Sequence, residues 1–204
     1  MLEGQHLAAQ RGGVPLFAGV GFALARGEAL VVTGANGSGK TTLLRMVVGL
    51  SLPASGTLAW NGAAVRPFDP TLRETTLYVG HAPALKDELT AEENLASLAS
   101  LHGATVDSAR ARAALAEWAL ERQRSLPARV LSQGQRRRVG LARLRLVRRP
   151  LWVLDEPTTA LDTAGVAILQ KCVAAHLEQG GVAVIATHHD LALPPGTTKA
   201  LRLP

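Results

Sequence analysis

The chain has 204 residues, of which 47% are hydrophobic and 19% charged. This composition is typical of a globular protein and excludes a disordered, collagen-like or coiled-coil chain. No apolar stretch approaches the roughly 18 residues that span a bilayer, and the first residues lack the basic-then-apolar run of a signal peptide. The single cysteine, Cys172, excludes an internal disulfide, so we expect a cytoplasmic protein.

The net charge of +6 comes from one arginine-rich segment that contains no acidic residue. Its arginines are Arg136, Arg137, Arg138, Arg143, Arg145, Arg148 and Arg149. Without these seven, 15 Lys and Arg face 16 Asp and Glu, a balance of −1. We interpret the segment as the solvated face of one helix; contact with an acidic partner or with lipid headgroups is the alternative.

Glycine and proline divide the chain into short elements. In chain order, the patterns predict strands at 20–25 and 29–33, a helix at 39–48, a hairpin at 56–62, a strand at 75–79, helices within 90–120, a helix at 132–150, a strand at 151–154, a helix at 163–178 and a strand at 182–186. Short, continuously apolar strands that alternate with helices are typical of a parallel sheet covered on both faces. We therefore expect an α/β fold with an antiparallel N-terminal β portion and an inserted helical lobe.

The strongest chemical signal follows the predicted strand at 29–33. It reads Gly34-Ala35-Asn36-Gly37-Ser38-Gly39-Lys40-Thr41 and matches the phosphate-binding loop pattern. Backbone N–H groups of such a loop, and of the helix that it opens, converge on phosphate oxygens. We expect Lys40 to hold the β and γ phosphates, Thr41 to coordinate Mg²⁺, and Thr42 to belong to the same nucleotide site. A glycine-rich turn with an exposed lysine is the alternative.

The apolar strand predicted at 151–154 ends in two carboxylates, Asp155 and Glu156. Ligands of parallel sheets bind at the carboxyl ends of the strands. We expect Asp155 to hold Mg²⁺ through water and Glu156 to polarise the attacking water. An acidic pair at the N-terminus of the helix predicted at 163 is the alternative.

A third motif makes the pattern specific to one family. Leu131-Ser132-Gln133-Gly134-Gln135 fits a capping box, and with the two motifs above it resembles the signature sequence of the ABC transporter ATPases. The resemblance implies a P-loop NTPase fold with a RecA-like parallel-sheet core. It also implies that Ser132, Gly134 and Gln135 contact ATP bound to the opposite subunit of a nucleotide-bridged homodimer. A capping box that only stabilises its helix is the alternative.

Two shorter segments follow in the order that the family shows. Thr159-Ala160-Leu161-Asp162 resembles the D-loop, and Thr187-His188 resembles the switch histidine that contacts the γ-phosphate. We assign that role to His188 rather than to its neighbour His189. The resemblance implies one ABC ATPase domain over 1–204, with a nucleotide-binding core at 1–86 and 150–204 and a helical lobe at about 87–149.

Two positions depart from the usual family pattern. Where most members have a tyrosine that stacks on adenine, this chain has Arg11, whose planar guanidinium can also stack. Where most members have a glutamine that couples the γ-phosphate to the membrane partner, this chain has His81, whose imidazole can still bind water or a metal. A surface histidine without a role is the alternative for His81.

The His81 segment, the short chain and the arginine-rich start of the signature helix together resemble the ATPase subunit of the haem exporter of cytochrome c maturation. The resemblance implies ATP and Mg²⁺ as cofactors, membrane-spanning subunits as partners and a peripheral location on the cytoplasmic face of a bacterial inner membrane. Hydrolysis would support release of the haem-loaded chaperone, and we expect no contact with haem or nucleic acid. An ABC ATPase for another substrate, or a soluble one that acts on nucleic acid, is the alternative.

Overall fold

Nine strands and six α-helices form the structure, a computed structural model that describes residues 1–204. The strands are β1 Leu2–Arg11, β2 Val14–Leu24, β3 Ala29–Thr33, β4 Ser55–Trp60, β5 Ala63–Ala64, β6 Thr76–Val79, β7 Leu151–Asp155, β8 Val182–Ala186 and β9 Thr198–Arg202. The helices are α1 Lys40–Val47, α2 Pro70–Thr75, α3 Ala91–Ser100, α4 Ser108–Glu117, α5 Gln133–Ala142 and α6 Thr163–Glu178. None of them combines the length and the apolar character that crossing a membrane requires.

The chain forms two compact units. The first unit takes in residues 1–78, 149–156 and 173–204, and the second takes in 79–148 and 157–172. The second unit therefore contains nearly all of the predicted helical lobe, together with residues 79–86 and 157–172, which the sequence-based division assigns to the nucleotide-binding core.

Two sheets build the first unit. The antiparallel sheet has the strand order β2-β1-β4-β5, and the second sheet has the order β6-β7-β8-β3-β9. In the second sheet β3 pairs in parallel with β8 and β9, and β7 pairs in parallel with β8. Every residue of β7 and β8 is buried, as expected for central strands with both faces covered. The expected α/β architecture with an antiparallel N-terminal portion is confirmed.

The register of the parallel sheet brings three strand ends together. Ala186, the last residue of β8, lies opposite Val32 of β3 on one side and opposite Asp155 of β7 on the other. Parallel strands all run toward the same edge of a sheet. The residues that follow Val32, Asp155 and Ala186 in the sequence therefore emerge side by side.

Helices dominate the second unit, where α3, α4 and α5 pack against one another. Thr90 begins α3 with a capping box, and Asp107 caps α4 by accepting a hydrogen bond from the N–H of Arg110. Their apolar faces bury large side chains, including Leu95, Leu115 and Trp118. The helix at 163–178 has the predicted bounds, and part of it belongs to this unit.

The prediction of one helix over 132–150 was wrong, because α5 ends at Ala142 and a single 3-10 turn follows at Arg143–Arg145. Leu144, Leu146 and Val147 are all buried. Residues beyond the end of α5 therefore still contribute to the core.

The interpretation of the arginine-rich segment as a solvated face was also wrong. Arg137 and Arg143 are only 3% and 6% exposed. Burial, with a smaller effect of the Arg137 charge, lowers the pKa of Arg143 to about 10, so it stays protonated near neutral pH. Arg136 and Arg145 form ion pairs with acidic side chains of the same unit, at 2.6 Å to Asp87 and 2.5 Å to Glu117. Several arginines of this segment are therefore buried or paired with acidic side chains, and do not form one solvated face.

Trp152 of β7 and His176 of α6 stack face to face, with ring centroids 3.9 Å apart and an interplanar angle of 4°. His176 Nε2 also lies 3.2 Å from the carbonyl oxygen of Val182. Burial lowers the pKa of His176 to about 4. The imidazole is therefore neutral in the folded chain at physiological pH.

This pKa predicts a pH-dependent stability. The unfolded chain binds the His176 proton with a pKa near 6.5, and the folded chain binds it only near 4. The free energy of unfolding should therefore decrease as the pH falls from about 6.5 to 4, by up to about 3 kcal/mol. His176→Phe keeps a ring against Trp152 and cannot titrate, so urea denaturation across this range should show a shallower decrease. Equal slopes for the two proteins would contradict the prediction.

Candidate active site

The phosphate-binding loop depends on two of its glycines for steric reasons. Gly34 has φ of +148°, and a Cβ there would lie 2.6 Å from Ser38 Oγ and 2.9 Å from the Leu203 carbonyl oxygen. Gly39 has φ of +98°, and a Cβ there would lie 2.9 Å from the Phe17 ring. These φ values and contacts exclude larger residues. The loop between them exposes Ala35, Asn36 and Gly37.

Lys40 begins α1 and directs its ammonium back into the loop. Nζ donates to the carbonyl oxygens of Gly34 and Ala35, at 2.9 and 3.2 Å, and lies 3.0 Å from His188 Nε2. Lys40 is 7% exposed, so its charge is largely shielded from water. A buried ammonium held by neutral carbonyls interacts strongly with an anion such as a phosphate.

Thr41 and Asp155 supply two oxygen ligands of the kind that Mg²⁺ prefers. Thr41 Oγ1 donates to Asp155 Oδ1 at 3.3 Å, and Asp155 is 1% exposed. The chain has no cluster of three or more His, Cys, Asp and Glu side chains suited to holding a metal. Mg²⁺ needs no such cluster, since it commonly combines one or two protein ligands with water and substrate phosphates. The pair therefore fits a magnesium ion that arrives with a nucleotide.

Tyr78 is a neighbour of this pair that the motifs do not predict. Burial, followed by the nearby charge of Asp155, raises the pKa of the Tyr78 phenol. The hydroxyl therefore stays protonated and can donate a hydrogen bond at neutral pH. Tyr78 lies on β6, the strand next to β7, whose last residue is Asp155.

Glu156 follows β7 and has φ of +48°, which is uncommon for a residue with a side chain. Its N–H donates to the carbonyl oxygen of Ala186 at 2.9 Å. Glu156 Oε1 lies 3.3 Å from His188 Nε2 and 3.8 Å from Lys40 Nζ. A carboxylate between an imidazole and an ammonium can accept a proton from a nearby water molecule.

His188 is presented by a turn at the end of β8. Thr187 is fully buried; its N–H donates to the Val32 carbonyl oxygen at 3.1 Å and its hydroxyl accepts from the N–H of His189 at 3.0 Å. This turn directs the His188 ring toward Lys40 and Glu156. The first unit thus brings together five residues predicted from the sequence: Lys40, Thr41, Asp155, Glu156 and His188.

The signature segment lies in the second unit, at the start of α5. Ser132 Oγ accepts from the N–H of Gln135 at 3.2 Å, and Gln135 Oε1 accepts from the N–H of Ser132 at 2.9 Å. The predicted capping box is confirmed, and Ser132 remains exposed. A Cβ on Gly134 would lie 2.7 Å from the carbonyl oxygen of Ala160. Glycine is therefore needed where α5 meets the D-loop.

Asp162 of the D-loop has two local partners. Its Oδ1 accepts from the N–H of Gly165 at 2.8 Å and forms an ion pair with Arg138. The hydrogen bond from Gly165 and then the Arg138 guanidinium lower the pKa of Asp162. Asp162 is thus ionised at neutral pH and tied to α5 through Arg138.

The structure places two predicted site residues on exposed segments. Arg11 ends β1 at the turn into β2. His81 has an exposed side chain, and its carbonyl oxygen accepts from Arg137 Nη1 at 2.9 Å.

Arg137 contacts the backbone of the His81 segment, and the motifs do not predict this contact. Its spacing to Leu141 and Leu144, four and seven positions on, is the pattern that places a residue on the buried stripe.

Comparisons with known proteins agree on one family. A family model described as ABC transporter matches residues 17–159. Proteins from Cupriavidus pinatubonensis and Nitrosomonas europaea, both named "Cytochrome c biogenesis ATP-binding export protein CcmA", are 46% and 44% identical. Each alignment covers 100% of this chain, and they cover 88% and 95% of the respective relatives.

Solved structures give the same result. An ABC transporter ATP-binding protein from Pyrococcus furiosus is 25% identical, with a TM-score of 0.85 over 99% of this chain and 96% of its own. The ATP-binding cassette MJ0796, solved as a dimer with ADP and Pi, is 26% identical, with a TM-score of 0.77 over 93% of this chain and 88% of its own. The family resemblance and the fold expected from the sequence are confirmed.

The contact between α5 and the D-loop predicts the effect of adding one methyl group. In Gly134→Ala the new Cβ must displace the Ala160 backbone, and such overpacking costs about 1–3 kcal/mol. We expect a lower melting temperature and an ATP hydrolysis rate reduced about tenfold. Gly21→Ala is the matched control, since its Cβ would meet its nearest atom at an ordinary 3.6 Å. Equal rates of ATP hydrolysis for Gly134→Ala and Gly21→Ala would show that hydrolysis does not depend on the contact between α5 and the D-loop.

Proposed function

We propose a specific task for this chain, which belongs to the ABC transporter family: it is the ATPase subunit of the haem exporter of cytochrome c maturation. Membership of this family makes it an ATP-hydrolysing transport protein. The observation that carries hydrolysis is the convergence of Lys40, Glu156 and His188 within 4 Å of one another. The relatives named for cytochrome c biogenesis, 46% and 44% identical over the whole chain, support the specific export step.

Phosphate binding is the first step of the proposed mechanism. Lys40 would exchange its carbonyl partners for the β- and γ-phosphate oxygens, whose negative charge is a stronger attraction. Backbone N–H groups of residues 34–41, with Thr42, would hold the remaining oxygens. Thr41 and Asp155 would hold Mg²⁺, which neutralises charge that develops on the phosphates.

Hydrolysis needs a base and a group that orients the γ-phosphate. Glu156 would accept a proton from water as the water oxygen bonds to the γ-phosphorus; the bond from that phosphorus to the bridging oxygen breaks, leaving ADP and phosphate. His188, whose Nε2 lies 3.3 Å from Glu156 Oε1, would donate a hydrogen bond to the γ-phosphate beside the base.

The second unit would complete the site of a partner copy. Ser132, Gly134 and Gln135, at the N-terminus of α5, would contact the γ-phosphate of ATP bound to the opposite subunit. The dimeric structure of the related cassette MJ0796 supports this nucleotide-bridged homodimer. Asp162 would line the dimer contact, and Arg11 would stack on adenine.

The proposed partners are the membrane-spanning subunits of the exporter. The chain would bind them at the cytoplasmic face of a bacterial inner membrane, with the exposed His81 side chain coupling hydrolysis to their movement. ATP hydrolysis would then drive release of the haem-loaded chaperone. The proposal requires neither haem nor nucleic acid to touch this chain.

Replacement of the chromosomal gene in the native host tests this function. Glu156→Gln retains the shape of the side chain and loses the basic oxygen, so c-type cytochromes should disappear from haem-stained membranes while b-type cytochromes remain. Glu178→Gln is the matched control, because it makes the same chemical change at an exposed position of α6 and should leave c-type cytochromes at parent levels. Unchanged c-type cytochromes in the Glu156→Gln strain, at equal protein levels, would refute the proposal.

A further inference from the structure

Arg137 is a buried charge in the middle of α5. Arg137 is 3% exposed. Arg143, which is 6% exposed, is a second buried positive charge, and burial followed by the charge of Arg137 lowers the pKa of Arg143. A buried charge is costly unless it is bonded, and apolar residues of similar volume often stabilise a fold better. Stability alone is therefore a poor reason for a guanidinium at this position.

The hydrogen bonds of Arg137 join two distant segments of the chain. Nη1 donates to the carbonyl oxygens of Gly80 and His81, at 3.0 and 2.9 Å. Nε donates to the carbonyl oxygen of Pro157 at 3.3 Å. One rigid side chain therefore fixes the backbone of the His81 segment and the backbone immediately after Glu156.

The surroundings of α5 favour this arrangement. Gly140 lies on the same helix, and a Cβ there would be 3.5 Å from Pro83, so α5 packs closely against the segment that follows His81. The guanidinium is planar, with donors in a fixed fork, so it can reach several carbonyl oxygens at once. A lysine ammonium has no planar fork and sits on a flexible stem, so it fixes the positions of carbonyl oxygens less strictly.

Glu156 is consequently held on both sides. Its own N–H donates to the Ala186 carbonyl oxygen at 2.9 Å, and the carbonyl oxygen of the next residue, Pro157, accepts from Arg137. Between these two anchors Glu156 adopts φ of +48°, a conformation that persists only where the surroundings impose it. The backbone is therefore hydrogen-bonded both at Glu156 and at the residue that follows it.

We propose that Arg137 is a positioning residue for ATP hydrolysis, which fixes the backbone at Glu156 and ties it to the His81 segment. The proposal rests on the role of Glu156 as general base given above. Loss of the guanidinium leaves the phosphate-binding loop intact, so ATP binds as before. The base is then less well placed, and the chemical step slows.

Steady-state ATP hydrolysis by the purified full-length chain tests this role. Arg137→Gln should lower kcat about tenfold or more and change KM by less than about twofold, because the loss affects the chemical step and spares nucleotide binding. Arg137→Lys keeps the charge without the fork and should show the same split. Val139→Ala is the matched control, since it removes fully buried apolar atoms from the same helix without touching these carbonyl bonds. It should lower the melting temperature and leave kcat within about twofold at temperatures where it is folded.

Three results would overturn the proposal. They are a kcat within about twofold of the parent in a folded Arg137 variant, a loss that appears in KM alone, and an equal fall in kcat for Val139→Ala. If Arg137→Gln does not fold, the Arg137→Lys result decides. Absence of hydrolysis in the parent chain would instead count against the ATPase function itself, so the two failures are distinguishable.

Discussion

The parallel register of β7, β8 and β3 is the constraint on which the catalytic arrangement depends. Because Ala186 lies opposite both Val32 and Asp155, the residues after these positions leave the sheet at one edge. Three segments thus lie side by side because each directly follows its strand: the phosphate-binding loop, the Asp155–Glu156 pair and the Thr187–His188 turn. A shift of one residue in β7 would turn Asp155 to the opposite face of the sheet and separate its carboxylate from Thr41.

Helix α5 has a comparable role in the second unit. Its N-terminus exposes Ser132, its second residue meets the D-loop at Ala160, and Arg138 holds Asp162. Arg137, the residue before Arg138, holds the backbone of the His81 segment. Adjacent arginines therefore connect one short helix to both the D-loop and the His81 segment. The basic composition of this segment has a structural explanation, which the net charge of the chain does not reveal.

Much of the fold could be predicted because its signals are local. Continuous apolar runs identify β3, β7 and β8, and Ser132 with Gln135 identifies the start of α5. The end of α5 could not be predicted, because the arginines and leucines that follow Ala142 are themselves good helix formers. Strand β9 carries no apolar pattern and forms because β3 offers an edge for pairing. The grouping of Lys40, Glu156 and His188 could be predicted because each belongs to a family motif. The hydrogen bonds of Arg137 could not be predicted, because they depend on tertiary contacts alone.

The most direct test of ATP hydrolysis at these strand ends compares the parent chain with Lys40→Ala. Lys40 Nζ is the positive charge at the centre of the cluster, and the apolar core beneath it does not depend on that charge. Lys171→Ala removes the same functional group from an exposed position of α6 and serves as the control. Magnesium-dependent ATP turnover should fall at least about a hundredfold in Lys40→Ala and remain at the parent rate in Lys171→Ala, with both proteins folded. Parent-like turnover in a folded Lys40→Ala protein would contradict the assignment of this site.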